Sequence, residues 1–237
     1  MSLLSAWASI SSVKRALAGA LVALCLLPGC GFADAGDGTG TVGVYGTLRC
    51  AYPELNTQVR WQLTDGNGPL VGANVALIDA DTRETIEVPA GDEAGDYAAE
   101  WPGYHRRVKA HIWRGRDGLR FQLEGPSPHV VIQPAPGSML AANERLEIRW
   151  RSPDGLRSDR VDVHVDGEDG EPGAPAAQAA GGTVLRDGGK ARLVVDALER
   201  GPHGLSVSRT TVLSPAGARR GAHVEHTYAV ETAFYRK

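Results

Sequence analysis

The residue types that could do chemistry are thinly spread along the 237 residues. His223-Val224-Glu225-His226 is the densest group of candidate metal ligands. It lies in a run of alternating apolar residues, where side chains three apart point to opposite faces of a strand, so His223 and His226 cannot hold one ion together. His164, between Asp162 and Asp166, reads as part of the polar face of the Val161-Val163-Val165 strand. Three acidic turns, around Asp65, around Asp79 with Asp81 and Glu84, and around Asp92 with Glu93 and Asp96, carry oxygen ligands of the kind calcium takes. None has the twelve-residue loop that ends in a bidentate Glu, and turn formation accounts for their Asp, Asn and Gly. No G-x-S-x-G elbow, H-E-x-x-H helix or phosphate-cradling glycine loop occurs. The expectation is a protein that is not an enzyme and needs no metal or cofactor.

Aromatic residues are the remaining candidates for contact with a ligand. In Val108–Trp113 the inward parity is Val108, Ala110 and Ile112, which turns Lys109, His111 and Trp113 outward. Pairing this run with Leu119–Glu124 across a four-residue loop, Gly115–Gly118, sets Trp113 opposite Arg120, Lys109 opposite Glu124 and Ile112 opposite Phe121. Cation–π and ion pairing then explain the outward face as structure. The competing expectation is a carbohydrate-binding surface in which Trp113, Arg120, Trp101 and Tyr104 lie exposed together.

These residues must be held by strands, because period-2 alternation dominates and no stretch keeps a helical period. Val59, Trp61 and Leu63 alternate with Gln58, Arg60 and Gln62; Asp65-Gly66-Asn67-Gly68 turns the chain. Val75 with Leu77, Thr85–Val88, Tyr97–Trp101, Val108–Trp113 and Leu119–Leu123 follow as strands. Later runs are Leu146, Ile148, Trp150; Val161, Val163, Val165; Leu193, Val195; Leu205, Val207; and Val224, Tyr228, Val230, Phe234. Pro126–Pro136, with four prolines, reads as a stiff inter-domain stretch, and Gly167–Gly182 as a surface loop. The expected fold is all-β, two tandem antiparallel β-sandwiches after a signal peptide and a flexible tether. Its divisions are residues 1–29, 30–46, 47–125, 126–136 and 137–237.

Charge and cysteine usage narrow the setting. The formal net charge is −3, and −5 once Lys14 and Arg15 leave with the signal, against the basic surface that nucleic-acid binding requires, so the expectation is no nucleic-acid partner. Ala16–Leu27 is an unbroken apolar run of the length of a signal core and too short to span a bilayer. Leu27-Pro28-Gly29-Cys30 follows, and it resembles the lipobox of bacterial lipoproteins, with Pro28 where such motifs carry Ala, Ser or Thr. The resemblance implies acylation at Cys30, a membrane partner through the N-terminal lipid, and, since Gly31 is not the Asp that marks inner-membrane retention, an outer-membrane location. Ordinary secretion with cleavage after Ala33-Asp34-Ala35 is the alternative. Cys50 shares parity with Leu48 and is expected to be buried and unpaired.

Two further resemblances follow. Leu63-Thr64-Asp65-Gly66, then Gly68-Pro69-Leu70-Val71-Gly72-Ala73-Asn74-Val75-Ala76-Leu77, then Gly95-Asp96-Tyr97 resembles the transthyretin-like, or carboxypeptidase regulatory-like, domain over about fifty residues. Leu146-x-Ile148-x-Trp150 and Leu198-x-x-Gly201 before Leu205-x-Val207 look like an immunoglobulin or fibronectin type III domain that lacks the inter-sheet disulfide. The first implies a non-catalytic sandwich and the second a sandwich architecture. The expected function is a lipid-anchored cell-envelope protein with a structural, adhesion or complex-scaffolding role and a protein partner; the alternatives are a carbohydrate-binding module or an envelope hydrolase.

Overall fold

A computed structural model describes residues 40–141, 145–165, 185–193 and 198–237. The signal, Cys30, most of the tether and the Gly167–Gly182 loop lie outside the described residues. The described chain is all-β, with no helix. Its strands in order are β1 (Gly43–Tyr52), β2 (Asn56–Asp65), β3 (Gly68–Pro69), β4 (Asn74–Asp79), β5 (Thr85–Glu87), β6 (Asp96–Pro102), β7 (Arg107–Arg114) and β8 (Asp117–Glu124). They continue with β9 (Val130–Gln133), β10 (Ser138–Leu140), β11 (Leu146–Arg151), β12 (Arg160–Val165), β13 (Lys190–Leu193), β14 (Gly201–Leu213) and β15 (His223–Arg236).

One large sheet, ordered β12-β14-β15-β1-β2-β3, runs through both halves of the sequence, with β6 also on β2 and β10 also on β15. Two smaller sheets, β5-β4-β7-β8 and β13-β11-β9, supply the opposing layers. Alternation decides which face is covered. On β2, Val59, Trp61 and Leu63 are buried while Gln58, Arg60 and Gln62 are exposed. Leu48, Trp61, Leu63, Tyr97 and Trp101 of the large sheet meet Leu77, Val108, Ile112, Phe121 and Leu123 of the first small sheet in one core. Val163, Leu205, Val207 and Phe234 meet Leu146, Ile148 and Trp150 in the second. Between them Cys50, Tyr228 and Val230 pack with Tyr104 and Val131.

The link between the halves is a parallel pairing that strand periodicity does not report: β1 lies beside β15 from Tyr45↔His223 to Tyr52↔Val230. The residues assigned to the end of the tether are drawn into the sheet: Gly43–Gly46 open β1, all four paired to β2, with Tyr45 and Gly46 paired to β15 as well. Glycine is required at 46, where φ is +146° and a Cβ would sit 2.0 Å from the carbonyl oxygen of Arg60. The proline-rich stretch 126–136 contributes strand β9 to the second small sheet, antiparallel to β11.

Candidate functional site

The expected aromatic surface does not exist as an exposed cluster. Trp101 is fully buried because it shares strand parity with Tyr97, and its ring stacks on His105 with centroids 3.6 Å apart. Tyr104 is half-buried between the cores, its hydroxyl donating to the carbonyl of Pro126 and its ring 4.6 Å from that of Tyr228. Burial pushes its phenol far above the usual range. Trp113 and Arg120 do lie on the outward face of β7 and β8, but they are not opposite each other. The connection is a tight turn through Gly115, with φ of +62°, and Arg116, so Arg114 pairs with Asp117. The register is therefore two residues from the expected one. His111 faces Arg120, Trp113 faces Gly118, Lys109 faces Gln122, Arg107 faces Glu124, and Ile112 faces Leu119. A shift of two keeps every side chain on its expected face. Trp113 rests beside His111, with rings 4.5 Å apart.

The titratable groups best placed for acid–base work are buried and committed to the fold. His105 Nδ1 is 2.7 Å from Asp79 Oδ2 and its Nε2 is 2.8 Å from the carbonyl of Pro102. Asp79 Oδ1 accepts from the amides of Asp81, at 2.6 Å, and Thr82, at 2.8 Å. Burial alone would raise its pKa, but those amides and His105 outweigh it and hold the carboxyl below its ordinary range. The acidic turn at 79–84 is thus a bracket around one buried carboxylate. Arg209, 1% exposed, donates from Nε to Asp187 at 2.8 Å and from its terminal nitrogens to the carbonyls of Ser127 and Leu156. Asp187 also accepts from Trp150 Nε1 at 2.9 Å and from the Ser158 amide at 2.8 Å. This network ties β14, the 126–129 segment and the loop before β13 together.

Two further buried imidazoles are held neutral by their surroundings. His226 is fully buried on β15 and neither ring nitrogen has a partner among the described residues. Burial, with a smaller push from His105, lowers its pKa to about 3. His129 faces the carbonyl of Val207 at 3.0 Å through Nε2 while Nδ1 is unpartnered. Burial and then the Arg209 charge lower it to about 4. As strand parity requires, His223 is exposed on the opposite face from His226. Among the described residues no group of three His, Cys, Asp or Glu side chains is placed to hold a metal ion.

The open face of the large sheet is the surface the sequence did not single out. Two concavities, of about 720 Å3 and about 550 Å3, adjoin there, and Arg60 lines both. Register explains the second. Thr47 of β1 is opposite Glu225 of β15 on one side and Arg60 of β2 on the other, and Arg49 is likewise opposite Thr227 and Gln58. Thr210 of β14 faces Thr227 and Arg160 of β12, with the two threonine hydroxyls 2.9 Å apart. Short hydroxyls therefore make a floor and long side chains make walls. Arg160 forks Glu225 with two bonds of 3.1 Å and donates to Asp162 at 2.8 Å. Arg49 and Arg60 have no acid or hydrogen-bond partner among the described residues. The first concavity continues past Tyr45, whose ring meets His223 edge-on at 5.6 Å, to Asp92, Glu93 and Asp96.

No protein-family model matches the chain, and no curated protein does. Among solved structures it is similar to the native conformation of E. coli alpha-2-macroglobulin, at 12% identity over 86% of this chain and 15% of that one, with a TM-score of 0.27. It is similar also to the fibronectin(III)-like modules of Clostridium thermocellum CbhA, at 18% identity over 80% of this chain and 93% of that one, TM-score 0.21. The N-terminal four Ig domains of Dscam1 isoform 9.44 match at 9% identity over 84% and 44%, TM-score 0.22. The chain spans 15% of the length of the first of these. At such TM-scores the likenesses carry no argument about this chain, and the all-β assignment stands on its own strands.

Proposed function

We propose that the protein is a lipid-anchored, non-catalytic binding module of the bacterial cell envelope, tethered through Cys30 to the outer membrane. The observation that carries the non-catalytic reading is where the ionisable groups are spent. The Asp79–His105 pair is buried with both imidazole nitrogens facing acceptors, and the Arg209–Asp187 pair is buried among backbone partners. A hydrolase needs a base that can reach substrate, whereas the open surface offers polar contact over a wide, rigid sheet face. A platform of this kind suits adhesion or the scaffolding of an envelope complex. The anchor rests on Leu27-Pro28-Gly29-Cys30 after a twelve-residue apolar run. Several acyl chains together hold a protein stably where one does not.

Membrane fractionation and intact-mass analysis of the mature protein test this reading. The wild type is expected in the membrane fraction with a lipid-bearing N-terminus at Cys30, and Cys30→Ser in the soluble fraction or unprocessed. An unmodified N-terminus at Gly36 overturns the anchor.

A further inference from the structure

The structure assigns the outer face of the β13-β11-β9 sheet as a docking surface for an anionic lipid bilayer, with Arg149, Arg151, Lys190 and Arg192 on the headgroups and Val130 and Ile132 beside them. The inference rests on the reading of the protein as lipid-anchored and adds the face that it turns to the membrane.

Strand register gathers the cations. Arg149 of β11 is opposite Lys190 of β13, and Arg192 is opposite Glu147. Arg151, two residues further along β11, is the diagonal neighbour of Lys190. All four cations are exposed, since Ile148, Trp150, Ala191 and Leu193 take the inward positions. Glu147 is the one acid on this face among the described residues. Arg149 donates to it at 2.9 Å and Arg192 stands 3.8 Å away. The bond from Arg149, with the charges of Arg149, Arg192 and Lys190 behind it, holds its carboxyl below the ordinary range. Four cations against one carboxylate leave an excess of three positive charges, 4 − 1 = 3. The nearest other acids in sequence among the described residues are engaged elsewhere. Asp154 accepts from Ser127, Ser152 and Arg106, and Asp187 turns inward to Trp150 and Arg209. On the outer face of the other small sheet, Arg107, Lys109 and Arg120 are interleaved with Asp81, Glu87 and Glu124, and no such excess arises. In a chain of net charge −3, the excess is local to one sheet face.

What the cations adjoin selects the partner. Val130 of β9 is directly opposite Arg151, and both it and Ile132 are 52% exposed. The pairing of β9 with β11 shifts by one residue at Arg149 and Trp150, and Ile132 is the residue left over. Such a bulge re-aims a side chain out of the regular alternation. Ile132 and Met139, the latter 64% exposed, line a concavity of about 570 Å3 with Arg145 and Arg149. Exposed aliphatics beside arginine and lysine suit the boundary between lipid phosphates and acyl chains, where cations and buried methylenes each add to binding. A soluble polyanion offers the aliphatics nothing. The length of chain ahead of β1 agrees, since the thirteen residues from Cys30 to Val42 reach at most about 45 Å. A lipid at Cys30 therefore keeps the fold beside headgroups, and what remains is which face meets them. Because the β13-β11-β9 sheet opposes β12, β14 and β15, docking it turns the open face of the large sheet away from the bilayer and leaves that face to a partner.

Vesicle co-sedimentation of the mature chain carrying Cys30→Ser tests the face apart from the anchor. The probes are vesicles of phosphatidylglycerol with phosphatidylcholine, vesicles of phosphatidylcholine alone, and a soluble oligoglutamate. The chain should bind the anionic vesicles, bind phosphatidylcholine at least about tenfold less well, and let go as salt rises. One surface cation is worth about fivefold, so Arg151→Gln/Lys190→Gln should lose at least about tenfold. Both side chains are exposed, and the melting temperature of that variant should hold. Ile132→Ser, which spares every cation, should weaken binding to the anionic vesicles without changing its salt dependence. Arg49→Gln/Arg60→Gln on the opposite face should leave binding unchanged, which separates a docking face from overall charge. Equal binding to both kinds of vesicle, unchanged binding by Arg151→Gln/Lys190→Gln, an equal loss in Arg49→Gln/Arg60→Gln, or no binding overturns the inference. Tighter binding of the oligoglutamate than of the lipid, the result expected of an acidic protein partner, overturns it too. None of these measurements depends on acylation, so each failure leaves the fractionation result for Cys30 standing, and loss of the face and loss of the anchor are told apart.

Discussion

Acidification should weaken this protein well before its carboxylates titrate, and the two buried imidazoles set the size of the effect. In the unfolded chain a histidine takes up its proton near pH 6.5. In the folded chain His226 does so at about 3 and His129 at about 4. Between those limits the unfolded state binds the extra protons, so stability is complete above about pH 6.5 and falls with pH until the folded values are reached. Each pH unit is worth about 1.4 kcal/mol per group. At pH 5, still above both folded values, each imidazole has withdrawn about 2 kcal/mol, and the pair about 4 kcal/mol. That is a large share of the roughly 5–15 kcal/mol that holds typical domains together. The carboxyls of Asp79 and Asp187, held low by their partners, lose stability only at more acid pH, so the windows separate. Urea unfolding followed by tryptophan fluorescence, near pH 7.5 and near pH 5, measures the loss. His226→Phe keeps the ring volume and removes one titrating group, so about half the loss should remain. Stability that is flat to within about 1 kcal/mol between the two pH values refutes the reasoning, as does a His226→Phe variant that keeps the full loss.

Two further outcomes follow from burial. Arg209→Met leaves the Asp187 carboxylate buried without its cation and should cost about 3–5 kcal/mol, read by calorimetry as a fall in melting temperature. In Gly125→Ala the new Cβ would lie 2.6 Å from Nδ1 of the fully buried His226 ring, and should cost about 1–3 kcal/mol in the same assay.

Alternation was enough to show which residues face the cores. Val59, Trp61 and Leu63, Val161, Val163 and Val165, and Trp150 are all buried as their parity demands. It was enough, too, for the sides of β7, although the hairpin register was not, because a two-residue turn and a four-residue loop place the same residues on the same faces. The same parity would have buried Trp101 with Tyr97, so an aromatic surface containing it contradicts the pattern of its own strand. Other features had no local signal. The parallel contact of β1 with β15 joins residues 178 positions apart, and nothing in either strand names its partner. Arg49 and Arg60 read singly as ordinary outward residues of two strands, and only that pairing sets them on one concave face. Arg209 and His226 sit in strand positions of inward parity, yet what a buried charge or imidazole meets there depends on segments remote in sequence.

The parallel ladder between β1 and β15 also bears on the order in which the protein can be completed. Of the described strands, β1 is the first to emerge from any machine that delivers the chain from its N-terminus, and β15 is the last. Until β15 arrives, one side of β1 presents open amides and carbonyls, an invitation to pairing with a stranger. The first core also lacks Val224, and the segment between the cores lacks Tyr228 and Val230. Long-range pairings of this kind are slow to form, because the loop must close before the contact rewards it. A chain stalled short of its final strand is therefore a sticky fragment rather than a finished N-terminal half, and a holding chaperone at the exit side would matter more here than for beads folded one after another.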